Sequence, residues 1–299
     1  MVDIFLNVIL PIFLLIGLGA GLERAFSLDL ETLNKINFYA FVPALIFVKL
    51  QESDLEGPRI AGIAALCLVH LLLLALVAWA VFNKRWFSGK TSVPRIGVIF
   101  YNAGNYGIPL AQLFFGDEGT AVMAIVLMVQ NFTNFTLGIY LLACDGQDGG
   151  IHFGHQLLSL LKVPVLWAIV LALVLPPIAG PLGNAVRYLA DGLVPVMLLT
   201  LGIQLARCNL KSHLIQVGTV TVLRLLFSPL LMWGLIALWP GDLGPNAAIL
   251  LAVGGLPVAV NTHLLALQYR VDPEIAAQQV FWTTLLSGLT MTVLLYLVR

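Results

Sequence analysis

Apolar residues run along this chain in stretches too long for strands and too continuous for surface helices. A hydrocarbon core about 30 Å thick takes roughly 20 helical residues. By that measure, membrane spans are predicted at 4–22, 32–50, 60–82, 94–115, 119–142, 157–178, 184–205, 214–239, 246–268 and 276–298. None alternates with the two-residue period of a lipid-facing strand, which excludes a β-barrel. Turn chemistry separates the spans at Leu55-Glu56-Gly57-Pro58, Gly116-Asp117-Glu118-Gly119, Gly180-Pro181 and Trp239-Pro240-Gly241-Asp242. The longest polar stretch, 144–156, falls at the middle and is expected to be a cytoplasmic linker between halves 1–143 and 157–299. Met1-Val2-Asp3 leads into the first apolar run without the basic segment of a cleaved signal peptide, so that run counts as a permanent span.

Two of the spans are interrupted. The fourth reads Tyr101-Asn102-Ala103-Gly104-Asn105-Tyr106-Gly107-Ile108-Pro109, and the ninth reads Gly255-Leu256-Pro257-Val258-Ala259-Val260-Asn261-Thr262-His263. Their Gly-x-Pro motifs end at Pro109 and Pro257, 148 positions apart in a chain of 299. Glycine and proline release backbone groups that lipid cannot satisfy, so such a break survives only where protein buries it or it lines a cavity. Matched breaks, one per half, are the sequence pointer to the midplane site of an inverted-repeat carrier. Pro43 and Pro195, in the second and seventh spans, repeat the near-half spacing at 152 positions. Five spans per half is an odd number, so the second half is expected to enter the membrane inverted. Counting from the span ends puts the midplane near Gly104 in the fourth span and near Pro257 in the ninth.

Composition agrees with a multi-span membrane protein. Hydrophobic residues make up 60% of the chain and charged residues 10%, against about 25% charged in soluble domains. Fifteen basic and fifteen acidic residues cancel, and no basic run is present, which argues against nucleic acid as a partner. Odd-to-even loops hold Arg24, Lys35, Lys84, Arg85, Lys90, Arg95, Arg207, Lys211 and Arg270, with Lys162 just inside the sixth span. The other side has Lys49, Arg59, Arg187 and Arg299. Ten bases against four place the odd-to-even loops in the cytoplasm and both termini outside.

The candidate chemistry lies at the two interruptions. If both helices break at the midplane and run in opposite directions, their second halves both start there. Each start presents unpaired N–H groups and a partial charge of roughly +0.5. Converging near Asn102, Asn105, Gly107 and Pro109 from one span, and Pro257, Asn261, Thr262 and His263 from the other, they would hold an anion without a formal positive charge. Asn261 or Thr262 is expected to cap the second of them. The spans are almost free of acids, Asp191 being the nearest exception, which favours a carboxylate ligand over a cation or proton relay. The fifth span carries Gln130, Asn131, Thr133, Asn134 and Thr136. Gln130 and Asn134 share a face, and either line the crevice or bind neighbouring helices. Arg224 is a substrate counter-ion or, as the blander alternative, an internal structural group; His70 is a titrating group or a packing histidine. Cys67, Cys144 and Cys208 lack metal-ligand spacing, and no metal or cofactor is expected. An intramembrane enzyme would need paired aspartates, a serine–histidine pair or a metal cluster within the spans, and none is visible.

The residues from Asn102 to Leu110, and from Gly255-Leu256-Pro257 to Tyr269-Arg270-Val271-Asp272, resemble the auxin efflux carrier family of membrane transporters in its prokaryotic, malate- and malonate-permease-like branch. Phe38 to Leu45 and Pro195 to Gly202 support the match, which covers nearly the whole length. The resemblance implies an all-α membrane protein of ten transmembrane helices in two inverted five-helix repeats, with broken, crossing fourth and ninth helices, similar to the bile-acid sodium symporter fold. It implies a substrate carboxylate at the crossing, with Asn102 and Pro109 on one arm and Pro257 and Asn261 on the other. Helices one, two, six and seven would be the scaffold, and helices three to five and eight to ten a transport core moving against it. A homodimer through the scaffold and a bacterial inner-membrane location, termini periplasmic, are also implied. The sequence departs from plant members in having Asn261-Thr262-His263 where they place another proline, and in lacking a long central loop. The expected function is alternating-access transport of a small organic anion; the alternative is a sodium-coupled symporter of such an anion, for which carboxylate ligands near the breaks are missing.

Overall fold

The computed structural model describes residues 1–53, 57–83, 90–145, 163–208 and 213–299. Most of the predicted 144–156 linker, with Lys84, Arg85, Lys162 and Lys211, lies outside them. The described residues form α1 (Val2–Phe26), α2 (Leu30–Glu52), α3 (Gly57–Val81), α4 (Ser92–Ile99), α5 (Ala103–Ala143), α6 (Pro164–Val174), α7 (Gly180–Ala206), α8 (Leu214–Leu238), α9 (Asn246–Gly254), α10 (Val260–Gln268) and α11 (Pro273–Leu297). Seven of these are long and apolar enough to cross a membrane: α1, α2, α3, α5, α7, α8 and α11. The fold is all-helical; the one β-type contact among the described residues is an isolated bridge.

Helix α5 is a hairpin. At Gly116 the backbone takes φ 69° and ψ −147°, which a side chain would strain. The Thr120 hydroxyl then reaches the Gln112 side chain at 2.6 Å, eight residues back, where a straight helix would separate them by about 12 Å. This reversal is the predicted Gly116–Gly119 turn, and α5 therefore holds the fifth predicted span and the second part of the fourth.

Four of the prolines inside the helices are accommodated by a recurring device. π-Helical turns at Phe5–Ile9, Asn37–Phe41, Ala103–Gly107 and Leu223–Phe227 each end two residues before a proline: Pro11, Pro43, Pro109 and Pro229. Proline lacks an N–H and its ring crowds the carbonyl four residues back. A widened turn at that point takes up the mismatch, and the helix continues. Pro109 thus lies within a continuous helix, and the break expected near the first Gly-x-Pro motif falls earlier.

That break is Phe100–Asn102, extended backbone between α4 and α5. The second, Gly255–Ala259, separates α9 from α10 and contains Pro257. The two breaks pair with each other. Asn102 N donates to Pro257 O at 2.7 Å and Ala259 N donates to Phe100 O at 3.0 Å, flanking an antiparallel bridge between Tyr101 and Val258. Two of the polar groups each break releases are satisfied by the other, and Leu256 O and Val258 N–H find side chains of neighbouring helices, the condition under which irregular backbone persists at membrane depth.

Around this crossing, α1 packs along α7, and α2 packs on α6 and α7. Gly19 and Gly202 permit the first contact: a Cβ at either would overlap backbone of the opposing helix, Leu199 and Ile16 respectively. Helices α3, α8 and α11 pack against the four half-helices.

Candidate functional site

The antiparallel pairing gives the crossing two chemically different faces. Helices α4 and α9 bring their C-terminal ends to it; α5 and α10 start from it. Neither start is capped: Asn102 precedes α5 and Ala259 precedes α10, and no side chain accepts from the first-turn N–H groups of either. The expected caps at Asn261 and Thr262 are not formed. Thr262 instead turns its hydroxyl back onto Ala259 O at 2.7 Å, a local bond that competes with capping geometry.

The uncapped starts open into a cavity of about 630 Å³. Gly104 and Asn105 from the first turn of α5, and Val260 and Asn261 from the first turn of α10, form one wall; Asn131 and Asn134 from the second leg of α5 adjoin them. Asn37, Phe38 and Val42 of α2 and Met197 and Gln204 of α7 form the opposite wall. Met197 Cε comes within 3.6 Å of a Cβ placed at Gly104, so the walls meet closely beside the crossing. Amide contacts tie α2 to α7: Asn37 donates to the Thr200 hydroxyl at 3.1 Å and Gln204 donates to Asn34 Oδ1 at 3.1 Å. The cavity extends past Asn34 to Glu31, Lys35, Arg207 and Gln268.

Farther along α2, beyond the residues that line the cavity, charged groups pair with one another. Lys49, fourteen residues along α2 from Lys35 and thus about 21 Å away, pairs with Asp117 in the α5 turn at 2.8 Å and lies 3.4 Å from Glu52. Glu52 also pairs with Arg187 of α7. At the mouth of α4, Asp145 Oδ2 accepts from the N–H groups of Thr91 and Ser92, both at 2.9 Å. Burial raises the Asp145 carboxyl, but these bonds, with the Arg95 charge, outweigh it and hold the group below its ordinary value.

The sequence-predicted residues divide accordingly. Asn105, Asn134 and Asn261 reach the cavity wall. Asn102 is 4% exposed and outside that wall, its main chain serving the crossing and its side-chain NH₂ lacking a partner. Gly107 and Pro109 are buried in α5 behind it; a Cβ at Gly107 would collide with the Met123 tip and meet Leu256 Cδ1 at 3.0 Å. Pro257 supplies a carbonyl to the crossing. His263 is committed to Pro273 O at 3.0 Å. Gln130 is buried away from the cavity. His70 and Arg224 stand on the crossing's opposite face, His70 Nε2 lying 3.2 Å from both the carbonyl and hydroxyl oxygens of Ser228. Sequence reasoning missed Asn34, Asn37 and Gln204 on the far wall; their only signal was the occurrence of amides at turn spacing in otherwise apolar helices.

Fold and site together define a helical membrane protein whose two broken helices cross beside an internal polar cavity. The chain belongs to the membrane transport protein family, which includes the auxin efflux carriers; the family model matches residues 4–154 and 153–295. It is 29% identical over 267 residues to an "Uncharacterized transporter" of Methanothermobacter thermautotrophicus, covering 87% of this chain and 86% of the relative. A protein of Rhizobium meliloti named "Putative malonate transporter" is 27% identical over 310 residues, covering 98% and 95%. The "Uncharacterized transporter YfdV" of Escherichia coli is 24% identical over 289 residues, covering 91% and 90%.

Proposed function

We propose that this protein is a secondary carrier of a small organic anion, with a carboxylate of the ligand held at the cavity wall by the starts of α5 and α10. The observation that carries this reading is the convergence of two uncapped helix starts, each flanked by an asparagine (Asn105, Asn261), on one cavity. Each start contributes roughly half a positive charge and free N–H donors, so the pair matches a single carboxylate. The amides of Asn105, Asn131 and Asn261 supply neutral donors that orient it. The family relative named for malonate supports a small carboxylic acid as cargo.

In this reading the ten predicted spans form two inverted repeats, each broken helix counting as one span and α5 completing the fourth and forming the fifth. Helices α1, α2, α6 and α7 are the scaffold, and the remaining helices move against it. The excess of basic residues assigns the Lys35 and Arg207 end of the cavity to the cytoplasm and both termini to the periplasm of a bacterial inner membrane. The conformation is then inward-facing, with the Lys49–Asp117 pair between scaffold and core closing the outer side.

The test is a thermal-shift and proteoliposome-uptake screen of mono- and dicarboxylates on the wild type, followed by Asn105→Ala and Asn261→Ala. A hydrogen bond to a charged ligand is worth about 1.5–3 kcal/mol, so each variant should lose roughly tenfold or more in affinity while remaining folded. Wild-type affinity retained by both variants, or no carboxylate bound by the wild type, would sink the assignment.

A further inference from the structure

The face of the crossing turned away from the cavity is organised around Arg224. Its side chain is 0% exposed, yet among the described residues no carboxylate pairs with it. The guanidinium donates instead to Val98 O at 3.0 Å, Gly254 O at 2.7 Å, Leu256 O at 3.1 Å and the Ser228 hydroxyl. The Tyr101 ring lies 5.1 Å from its central carbon. Ser228, which donates to Gly254 O at 2.7 Å and neighbours His70, holds the guanidinium in place.

These acceptors share an origin. Val98 stands in the last turn of α4, Gly254 ends α9, and Leu256 lies in the break that follows. Each half-helix C-terminus carries roughly half a negative charge, so the two together present about one. A buried charge persists only when compensated, and one guanidinium matches that sum. In carriers built on broken helices, half-helix C-terminal ends and unwound carbonyls are where a coupling cation is coordinated.

We infer that Arg224 is a resident counter-cation of the crossing: a guanidinium built into α8 occupies the carbonyl cage where a mobile cation would otherwise sit. Anion binding therefore requires no sodium ion at this position. A planar fork with five donors can join carbonyls from both half-helices at once, which an ammonium cannot reproduce. The consequence for coupling rests on the proposed cavity site; the cation role itself rests on the contacts around Arg224.

The first experiment uses the ligand-free full chain in detergent. Arg224→Ala should unfold at a lower temperature than wild type, and low-millimolar guanidinium chloride should restore stability saturably, following mass action. Choline chloride should not, and the wild type should respond to neither. Arg224→Lys should fall between wild type and alanine. A folded Arg224→Ala protein that guanidinium fails to stabilise would overturn the inference. The second measurement needs no variant: wild-type carboxylate affinity should be equal in sodium and potassium buffers, and a several-fold gain in sodium would overturn it. Absence of any carboxylate binding would count against the proposed function alone, because the ligand-free rescue would still decide the role of Arg224.

Discussion

Thr283→Val tests whether the second break is held by the contacts that define the crossing. In the antiparallel bridge, Tyr101 and Val258 are flanked by hydrogen bonds made by their neighbours, so the N–H of Val258 points away from Tyr101. It donates to the Thr283 hydroxyl of α11 at 3.0 Å, and Thr283 is fully buried. Valine has nearly the same shape and no acceptor. The substitution leaves a buried backbone N–H unpaired where lipid and packed side chains offer no replacement, at a cost of about 1–3 kcal/mol. Thr283 also donates to Gln279 O within its own helix at 2.6 Å, and that term must be subtracted. Thr292→Val in the same helix provides the control, since its hydroxyl donates to Gly288 O at 2.6 Å, four residues back. Such back-bonds contribute little to helix stability. In thermal unfolding of the purified protein, Thr283→Val should lie clearly below both wild type and Thr292→Val. Equal unfolding temperatures for the two valine variants would refute the argument that α11 pins the break.

Three further outcomes follow from other contacts. Lys49 is 15% exposed on its side chain and Asp117 57%, so their pair should contribute within the surface range, about 0.5–1 kcal/mol. In the proposed reading, Lys49→Ala should then shift the closed outer side toward opening about two- to fivefold, read as faster labelling of an Asn105→Cys probe from the Lys49 side; an unchanged rate would remove the pair as a latch. Asp145 has a lowered folded pKa, so its stabilising effect is present above the ordinary value of 3.8 and lost as pH falls through the folded value. Asp145→Asn should accordingly be less stable than wild type at neutral pH, with the difference shrinking below about pH 4; a gap that widens in acid contradicts the sign. Gly202→Ala should destabilise the α1–α7 contact by roughly 1–3 kcal/mol because its Cβ meets Ile16 backbone, whereas Gly21→Ala has open space and should be neutral or stabilising in the same unfolding assay.

The seven helices long and apolar enough to cross a membrane were legible because hydrophobic length is a local property. So was the second break, where Gly255 and Pro257 lie within a few residues of the observed extended segment. The first was misplaced toward Pro109 because a proline signals lost helix bonding, while a π turn can absorb that loss without a break. What fixes Phe100–Asn102 is its partner at Pro257–Ala259, a pairing between distant parts of the chain that carries no local pattern. Arg224 was conspicuous as a charge in apolar sequence, but most of its hydrogen-bond partners are backbone carbonyls, which have no letter in the sequence. Asn37 and Gln204 were invisible for the opposite reason: polar residues near helix ends are common, and only the packing of α2 on α7 puts them around a cavity.

The two faces of the crossing are electrostatically dependent on each other. In the proposed reading, a carboxylate about 5 Å from two helix starts of roughly +0.5 each gains about 3 kcal/mol at an effective dielectric near 20. The two helix ends of opposite sign, about 10 Å away across the crossing, would cancel roughly half of that gain. Arg224 sits against those ends and offsets their charge while remaining outside the cavity wall. In that reading the protein presents positive potential to the ligand at the crossing, while the cationic side chains that line the cavity, Lys35 and Arg207, lie at its far end. A direct ion pair in a desolvated cavity would hold the anion tightly and oppose release. In the proposed reading, dipole ends and amides bind more weakly and would lose their alignment if the crossing moved relative to α2 and α7, which is the property a carrier needs of its site.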